Sequence, residues 1–411
     1  MRPRRVSRVR VPRLSAELRE RELVKPLELF FDLVFVLGFT QCTALMVAQP
    51  TWEGIGRGML VLAMLWWAWA GYAWLTSVID PEEGAVRIAM FAAMAALLIV
   101  ALCVPEAFGE RALMFAIAYG VVRAGQIALF LLAGRHDPAL HRSVVSLAIS
   151  SAIGVGLLVG ASFLDGGGEE GLWAVAILLD WGGPALFGVS GWRLVPGHFA
   201  ERHNLVIILA LGESIVALGV GSEIDLTAAV TTAAVLGIAL ASALWWIYFD
   251  VVALVTARRL TLAAEGRQRN MLARDSYSYL HFPMVAGIVL GALGLEATLA
   301  HVGEALDGEH AFALLGGVAV YLLAHVVLRL RNAHTINVQR LVLAMALFAL
   351  IPVAMNIPAL ATLGGVNVLV WVMIAYEHTT YTRQGDERRY RLRHGLDPDP
   401  DPASPLGGEG A

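Results

Sequence analysis

A run of about twenty apolar residues can satisfy its backbone inside a lipid bilayer only by coiling into a helix, because hydrocarbon offers no hydrogen-bond partner. This chain presents such runs one after another along most of its 411 residues. On that rule the sequence predicts an all-α membrane protein of about twelve transmembrane helices. The first six spans fall at about 27–47, 57–79, 87–107, 111–133, 143–163 and 171–190. The second six fall at about 199–219, 231–253, 277–298, 311–330, 339–357 and 359–380. Asp80-Pro81, Asp137-Pro138, the Gly166-Gly167-Gly168 run and Asp307-Gly308 supply turn chemistry at the joints. No segment between 27 and 380 is long enough for a soluble domain. Charged residues are only 16% of the chain and hydrophobic residues 58%, against ~25% charged in soluble domains. Cys42 and Cys103 both sit inside apolar runs, which suits packing better than a disulfide or a metal site.

The net charge of −4 says little, but the placement of arginine says more. If the N-terminus is cytoplasmic, the inside segments hold nine Lys and Arg before Pro26, then Arg87, Arg135, Arg142, Arg193 and Arg202. They continue with Arg258, Arg259, Arg267, Arg269 and Arg274, then Arg329, Arg331 and Arg340, and a basic stretch from Arg383 to Arg393. The outside loops hold only Arg57 and Arg111. Twelve spans therefore follow the positive-inside pattern with both termini cytoplasmic. Residues 1–26 read as a basic arm near anionic lipid, 27–380 as the membrane domain, and 381–411 as a largely disordered tail.

Two matches suggest two parallel six-helix repeats, with halves at 27–190 and 199–380. Leu65-Trp66-Trp67 aligns with Leu244-Trp245-Trp246, and a glycine interruption recurs late in each half: Asp180-Trp181-Gly182-Gly183-Pro184 and Gly364-Gly365-Val366-Asn367. Paired interruptions of this kind point to a transport site lined by freed backbone groups; a simple kink between packed helices is the alternative.

Three stretches carry a resemblance. "PLELFFDLVFV" at 26–36 followed by Gln41, "HFAERHNLVIILALGESIVALG" at 198–219, and "RDSYSYLHFPMVAGIVLGALGLE" at 274–296 are similar to the bacterial low-temperature-requirement A membrane proteins. The similarity runs from about 26 to 380. It implies a multi-pass protein of the bacterial inner membrane connected with growth in the cold. The motif positions it marks are Glu28, Asp32, Gln41, His198, Glu201, Arg202, His203, Gly212, Glu213, Ser214, Asp275 and His281. It brings no catalytic residue with it.

Ionisable residues within spans are costly and mark functional sites by default. Glu28 is expected at the cytoplasmic interface, where solvent makes it cheap, and Asp32 a turn and a half deeper as the functional acid. Both also suit the positive end of a helix dipole. Glu213 and Arg123 lie at similar apparent depth, so they are expected to pair, either as a static lock or as a proton or solute site with Ser214. The "HFAERH" segment is expected to form a charge network at the cytoplasmic edge, since an i,i+5 histidine spacing makes a weak metal site. Trp66, Trp67, Trp69 and Trp74 are expected as belt or packing residues, and Gly291 with Gly294 as helix-packing positions. His281, His325 and Glu377-His378 are scattered.

The reading is a carrier-like transporter of an unknown small solute, with the proton as candidate coupling ion. Asp32, Glu213, Arg123, Asp180, Ser214 and Asn367 are its candidate binding residues. The alternatives are a non-transporting membrane protein that supports growth or envelope function in the cold, and an intramembrane enzyme. The enzyme ranks last because no nucleophile–base set stands out. Beyond the bilayer, the solute and protons, no cofactor, metal or nucleic-acid partner is expected.

Overall fold

The computed structural model describes residues 23–82, 84–164, 167–186, 191–220 and 226–393. Among these the chain makes a succession of packed helices: α1 (Pro26–Ala48), α2 (Trp52–Thr76), α3 (Gly84–Cys103), α4 (Ala112–Ala133), α5 (Pro138–Ala161) and α6 (Gly167–Leu186). The second half follows as α7 (Pro196–Val220), α8 (Ala228–Leu262), α9 (Arg267–Ala300), α10 (Gly308–Ala333), α11 (Val338–Ala354) and α12 (Ala359–Arg393). By length and composition, 10 of the described helices can cross a membrane. The other two are α6, which carries Glu169, Glu170 and Asp180, and α11, which has only 17 residues.

Local chemistry explains several helix starts. The Thr51 side chain accepts the N–H of Gly54 at 3.1 Å, and the Asp137 carboxylate accepts those of Ala139 and Leu140 at 3.0 and 3.2 Å with Pro138 in the first turn. Thr227, Asp307 and Asn337 cap α8, α10 and α11 in the same way. Each cap satisfies an N–H that the helix leaves open. The Leu140 N–H, with the Ala139 N–H and the Arg193 guanidinium, holds the Asp137 carboxyl below the usual carboxylate range.

Contacts sort the helix ends into two sets. Lys25 pairs with Asp80, the Val24 N–H reaches Glu201, the Val195 N–H reaches Ser77, and Arg193 pairs with Asp137. Asn270 bonds the Trp192 carbonyl, Arg331 pairs with Asp275, and Arg340 with Glu377. These residues flank alternate connections, so they define one arginine-rich end of the bundle. At the other end Arg57 of α2 meets Glu170 of α6 at 2.6 Å, Trp52 meets the Phe312 ring, and the Ala359 N–H bonds the Glu304 carbonyl.

The tightest seam joins α9 and α10. A Cβ on Gly294 would lie 2.4 Å from the Leu314 nitrogen, one on Gly317 2.6 Å from the Gly291 nitrogen, and one on Gly287 2.6 Å from the Gly317 carbonyl oxygen. Small residues here let two backbones touch, which is how helices associate where no hydrophobic drive separates them from lipid.

Several expectations change. The glycines of the Asp180 segment do not break α6, which stays helical to Leu186 with Pro184 in its last turn, and Gly364 and Gly365 lie inside a continuous α12. Glycine permits a break but does not compel one when i→i−4 partners remain available. Helix α12 continues to Arg393, so the tail expected from 381 begins with ordered turns; 394–411 and most of the basic arm fall outside the described residues. Gly167 and Gly168 open α6 instead of forming a loop. The aligned tryptophan stretches also differ in setting. Trp66 and Trp67 are buried in α2, whereas Trp245 and Trp246 stand exposed on α8.

Candidate functional site

The three quoted stretches converge at the arginine-rich end, where α1, α2, α7 and α9 meet. Glu28 Oε1 lies 2.8 Å from His198 Nε2 and 3.3 Å from the Arg202 guanidinium, while its Oε2 accepts the Lys25 N–H at 2.8 Å. Arg202 also donates to Asp32 Oδ1 at 2.7 Å, and Trp69 Nε1 donates to the same oxygen at 2.9 Å. All of these carboxylates and their cation are buried, with Glu28 at 0% exposure. The expectation that Glu28 rests cheaply at an interface is therefore wrong. Helix α1 places Glu28 and Asp32 four residues apart on one face, and α7 lays His198 and Arg202 against that face with the same spacing. The "HFAERH" segment is likewise not an edge network as a whole: His198 and Arg202 are interior, and only Glu201 stays half-buried near Val24.

His203 turns toward a second group of residues. Its Nδ1 lies 2.9 Å from the Phe199 carbonyl, and its ring packs 4.9 Å from Trp69, 5.0 Å from Tyr277 and 5.4 Å from His281. His281 Nδ1 donates to the Ser276 carbonyl at 2.8 Å, which leaves Nε2 of the neutral ring as an acceptor. The Tyr248 hydroxyl lies 2.8 Å from that nitrogen and 2.8 Å from Asn204 Oδ1, two acceptors for its single proton. Two π-helical segments build this cluster, Tyr248–Val252 in α8 and Ala273–Tyr279 in α9. The wider turn shifts which residues face inward, and such bulges gather at functional sites. Ser278 in the second segment accepts from Trp66 at its carbonyl, 2.7 Å, and from Trp74 at its hydroxyl, 2.9 Å. Trp66, Trp69 and Trp74 are thus packing residues that also serve as hydrogen-bond donors, whereas Trp67 only packs.

Arg123 belongs elsewhere. It donates to Asp180 Oδ1 at 2.9 Å, to Ser151 at 2.6 Å and to Gln126 at 2.5 Å, and Ser151 donates to the same Asp180 oxygen at 2.6 Å. Glu213 instead accepts from Thr40 of α1 at 2.7 Å. The expected Glu213–Arg123 pair is therefore not formed. Helix α4 packs on α2, α3 and α5, whereas α7 packs on α1, α8 and α9. The true start of α7 at Pro196 also sets Glu213 seventeen residues in (213 − 196), past the middle of the helix. Ser214 is buried beside it.

Arg123 and Gln126 form one wall of a cavity among α2, α4, α5 and α9, faced by Trp67, Gly71 and Ser278 with Arg274 at the arginine-rich end. About 40 Å³ of it is open to the centre of a water molecule, enough for a few waters at ~10–15 Å³ each. Trp67 stacks on Trp181 and Tyr279, at 5.3 and 5.9 Å between ring centres.

Other predicted positions scatter. Asp275 pairs with Arg274 at 2.7 Å and Arg331 at 3.0 Å. Asn367 bonds the Leu236 and Leu363 carbonyls, so it ties α12 to α8 and does not join Asp180. Gln41 is half-buried, and Gly212 has open space where a Cβ would stand. His325 is buried against Tyr321, 4.6 Å between rings, in the same layer as Tyr248. Sequence reasoning missed Ser151, Asn204, Tyr248 and Tyr277. The polar Asn204 beside His203 was the one visible signal, because π turns leave no mark in a hydrophobic pattern.

Stacked apolar helices with charged side chains paired in their interior define a multi-pass α-helical membrane protein. The model of the bacterial low temperature requirement A (LtrA) family matches residues 23–375, and the chain belongs to that family. It is also similar to the uncharacterised protein RA0937 of Rhizobium meliloti (strain 1021), 30% identical over 377 residues, which covers 85% of this chain and 89% of the relative. No solved structure matches.

Proposed function

We propose that this LtrA-family protein is a carrier for a small solute, seated in the inner membrane with its arginine-rich end and both termini in the cytoplasm, and that it catalyses no reaction. The supporting observation is the cavity walled by Arg123, with Asp180 and Ser151 behind it. A buried ion pair adds little net stability, since desolvating two charges offsets their attraction; a role in binding gives it another reason to exist. A solute bearing a carboxylate or hydroxyl would take over hydrogen bonds that Asp180 and Ser151 now accept from Arg123. The cavity as it stands has room for little more than water, so seating a larger solute would require the α6 end, with Gly182, Gly183 and Pro184, to move away. Glu213, bonded to Thr40 in the opposite half of α7, is the group assigned to carry a coupled proton.

The test compares small metabolites inside and outside cells of a deletion strain, complemented with the natural chain or with the Arg123→Gln/Asp180→Asn pair. The carrier reading expects a solute whose distribution the natural chain restores and the neutral pair does not. Equal restoration by both would remove the site. The direct backbone contacts between α9 and α10 favour a second reading, a non-transporting protein that supports growth in the cold. That reading expects restored growth with no solute redistributed.

A further inference from the structure

A second recess opens on the outer surface of the bundle, between α1 and α7. Leu29, Phe30, Leu33 and Ile208 form its walls, and each is 45% exposed or more, on a surface that faces acyl chains. The recess is larger than the Arg123 cavity, with about 280 Å³ open to the centre of a water molecule. Asp32 lies at its floor, only 1% exposed. The two oxygens of this carboxylate differ. Oδ1 is saturated by Arg202 and Trp69, while Oδ2 is buried without a hydrogen-bond partner.

We infer that this recess binds a neutral, phosphate-free lipid whose polar end is a hydroxyl, donated to Asp32 Oδ2. A carboxylate oxygen accepts only, so the ligand must supply a donor. A phosphate would be repelled by Asp32, and an ammonium would come close to the Arg202 guanidinium, 2.7 Å from the other oxygen. A hydroxyl meets neither penalty. Asp32 lies six residues into α1 (32 − 26), or ~9 Å along the axis. The donor must therefore be carried below the lipid headgroups on an apolar body, and the walls are apolar over that whole path. This site is independent of the Arg123 cavity and of whether the protein transports anything.

The test uses the full chain in nanodiscs and hexadecanol carrying a mid-chain diazirine. Irradiation should label peptides from 29–33 and 205–209. Unlabelled hexadecanol and dioctanoylglycerol should compete, and the methyl ether of hexadecanol should compete roughly tenfold less, as expected when a hydrogen bond to a charged group is lost. Asp32→Ala should abolish labelling. Leu33→Trp fills the recess from its exposed wall without touching the ion network, so it should fold normally and also lose the label. Equal competition by alcohol and ether, or full labelling of the folded Leu33→Trp protein, would overturn the assignment. Displacement of the label by hexadecylamine as readily as by hexadecanol would overturn the choice of a hydroxyl.

Discussion

Arg123 places its charge in a wall of the bundle where water is scarce, and Asp180, Ser151 and Gln126 divide its hydrogen bonds among α4, α5 and α6. Leaving either ion alone should cost roughly 3–5 kcal/mol, while removing both leaves no stranded charge. Arg123→Leu and Asp180→Leu should each lower thermal stability in detergent, and the double variant should recover most of the loss. The same cycle between Arg123 and Glu213 should show no coupling. Coupling in the second cycle and none in the first would mean that these side chains are misplaced. Residue types were legible in the sequence because charge inside apolar runs is conspicuous: Asp32, Arg123, Asp180 and Glu213 all stand out. Their pairing was not. Counting from a helix start gives depth along the axis and nothing about which neighbour a face meets, and a start misjudged by three residues moves the depth as well.

At the level of single helices, glycine spacing and caps were legible, and the consequences can be separated. Gly294→Ala should push α9 from α10, because its Cβ would meet the Leu314 backbone, which has no rotamer with which to yield. A loss of about 1–3 kcal/mol or more is expected for such overpacking. Gly291→Ala, with open space at its Cβ, should be close to neutral. Similar melting temperatures for the two variants would show that the seam is looser than described. Asp137 offers a pH test outside the membrane-spanning segments. Its carboxyl is held below its ordinary value, so its contribution is present above the unfolded value near ~3.9 and is lost as pH falls through the lower folded value. Asp137→Ala should cost about 1 kcal/mol at neutral pH, and the difference from the natural chain should shrink once the medium is acid enough to protonate the cap. A difference that is flat with pH would deny the carboxylate this role. The π segments were not legible, since an inserted residue leaves an apolar run looking unbroken.

For the whole molecule, the alternation of arginine-rich and arginine-poor connections read from the sequence reappears as two contact-defined ends. Reporter fusions after Gly167 and Asp307 should read periplasmic, and fusions after Glu265 and at the C-terminus cytoplasmic. A periplasmic C-terminus would sink the twelve-span arrangement. The family was legible from three short stretches, and Glu28, Asp32, His198, Arg202, His203 and His281 of those stretches come together in the interior. The proposed six-plus-six symmetry fares differently: α2 is 83% buried over its most apolar window and α8 only 33%, so equivalent positions in the two halves do not have equivalent jobs.

The joining of Glu28 and Asp32 to Arg202 and His198 also bears on how the protein is made. The partners lie 170 residues apart in the chain, an interval of roughly ten to thirty seconds at ribosomal speeds of ~5–20 residues per second. Throughout that interval the first helix exists while its counter-charge has yet to be synthesised. Its two acids must wait protonated, in water at the membrane surface, or in the custody of the insertion machinery. The order of synthesis thus makes the final seating of the first helix a late event, set by the arrival of the seventh.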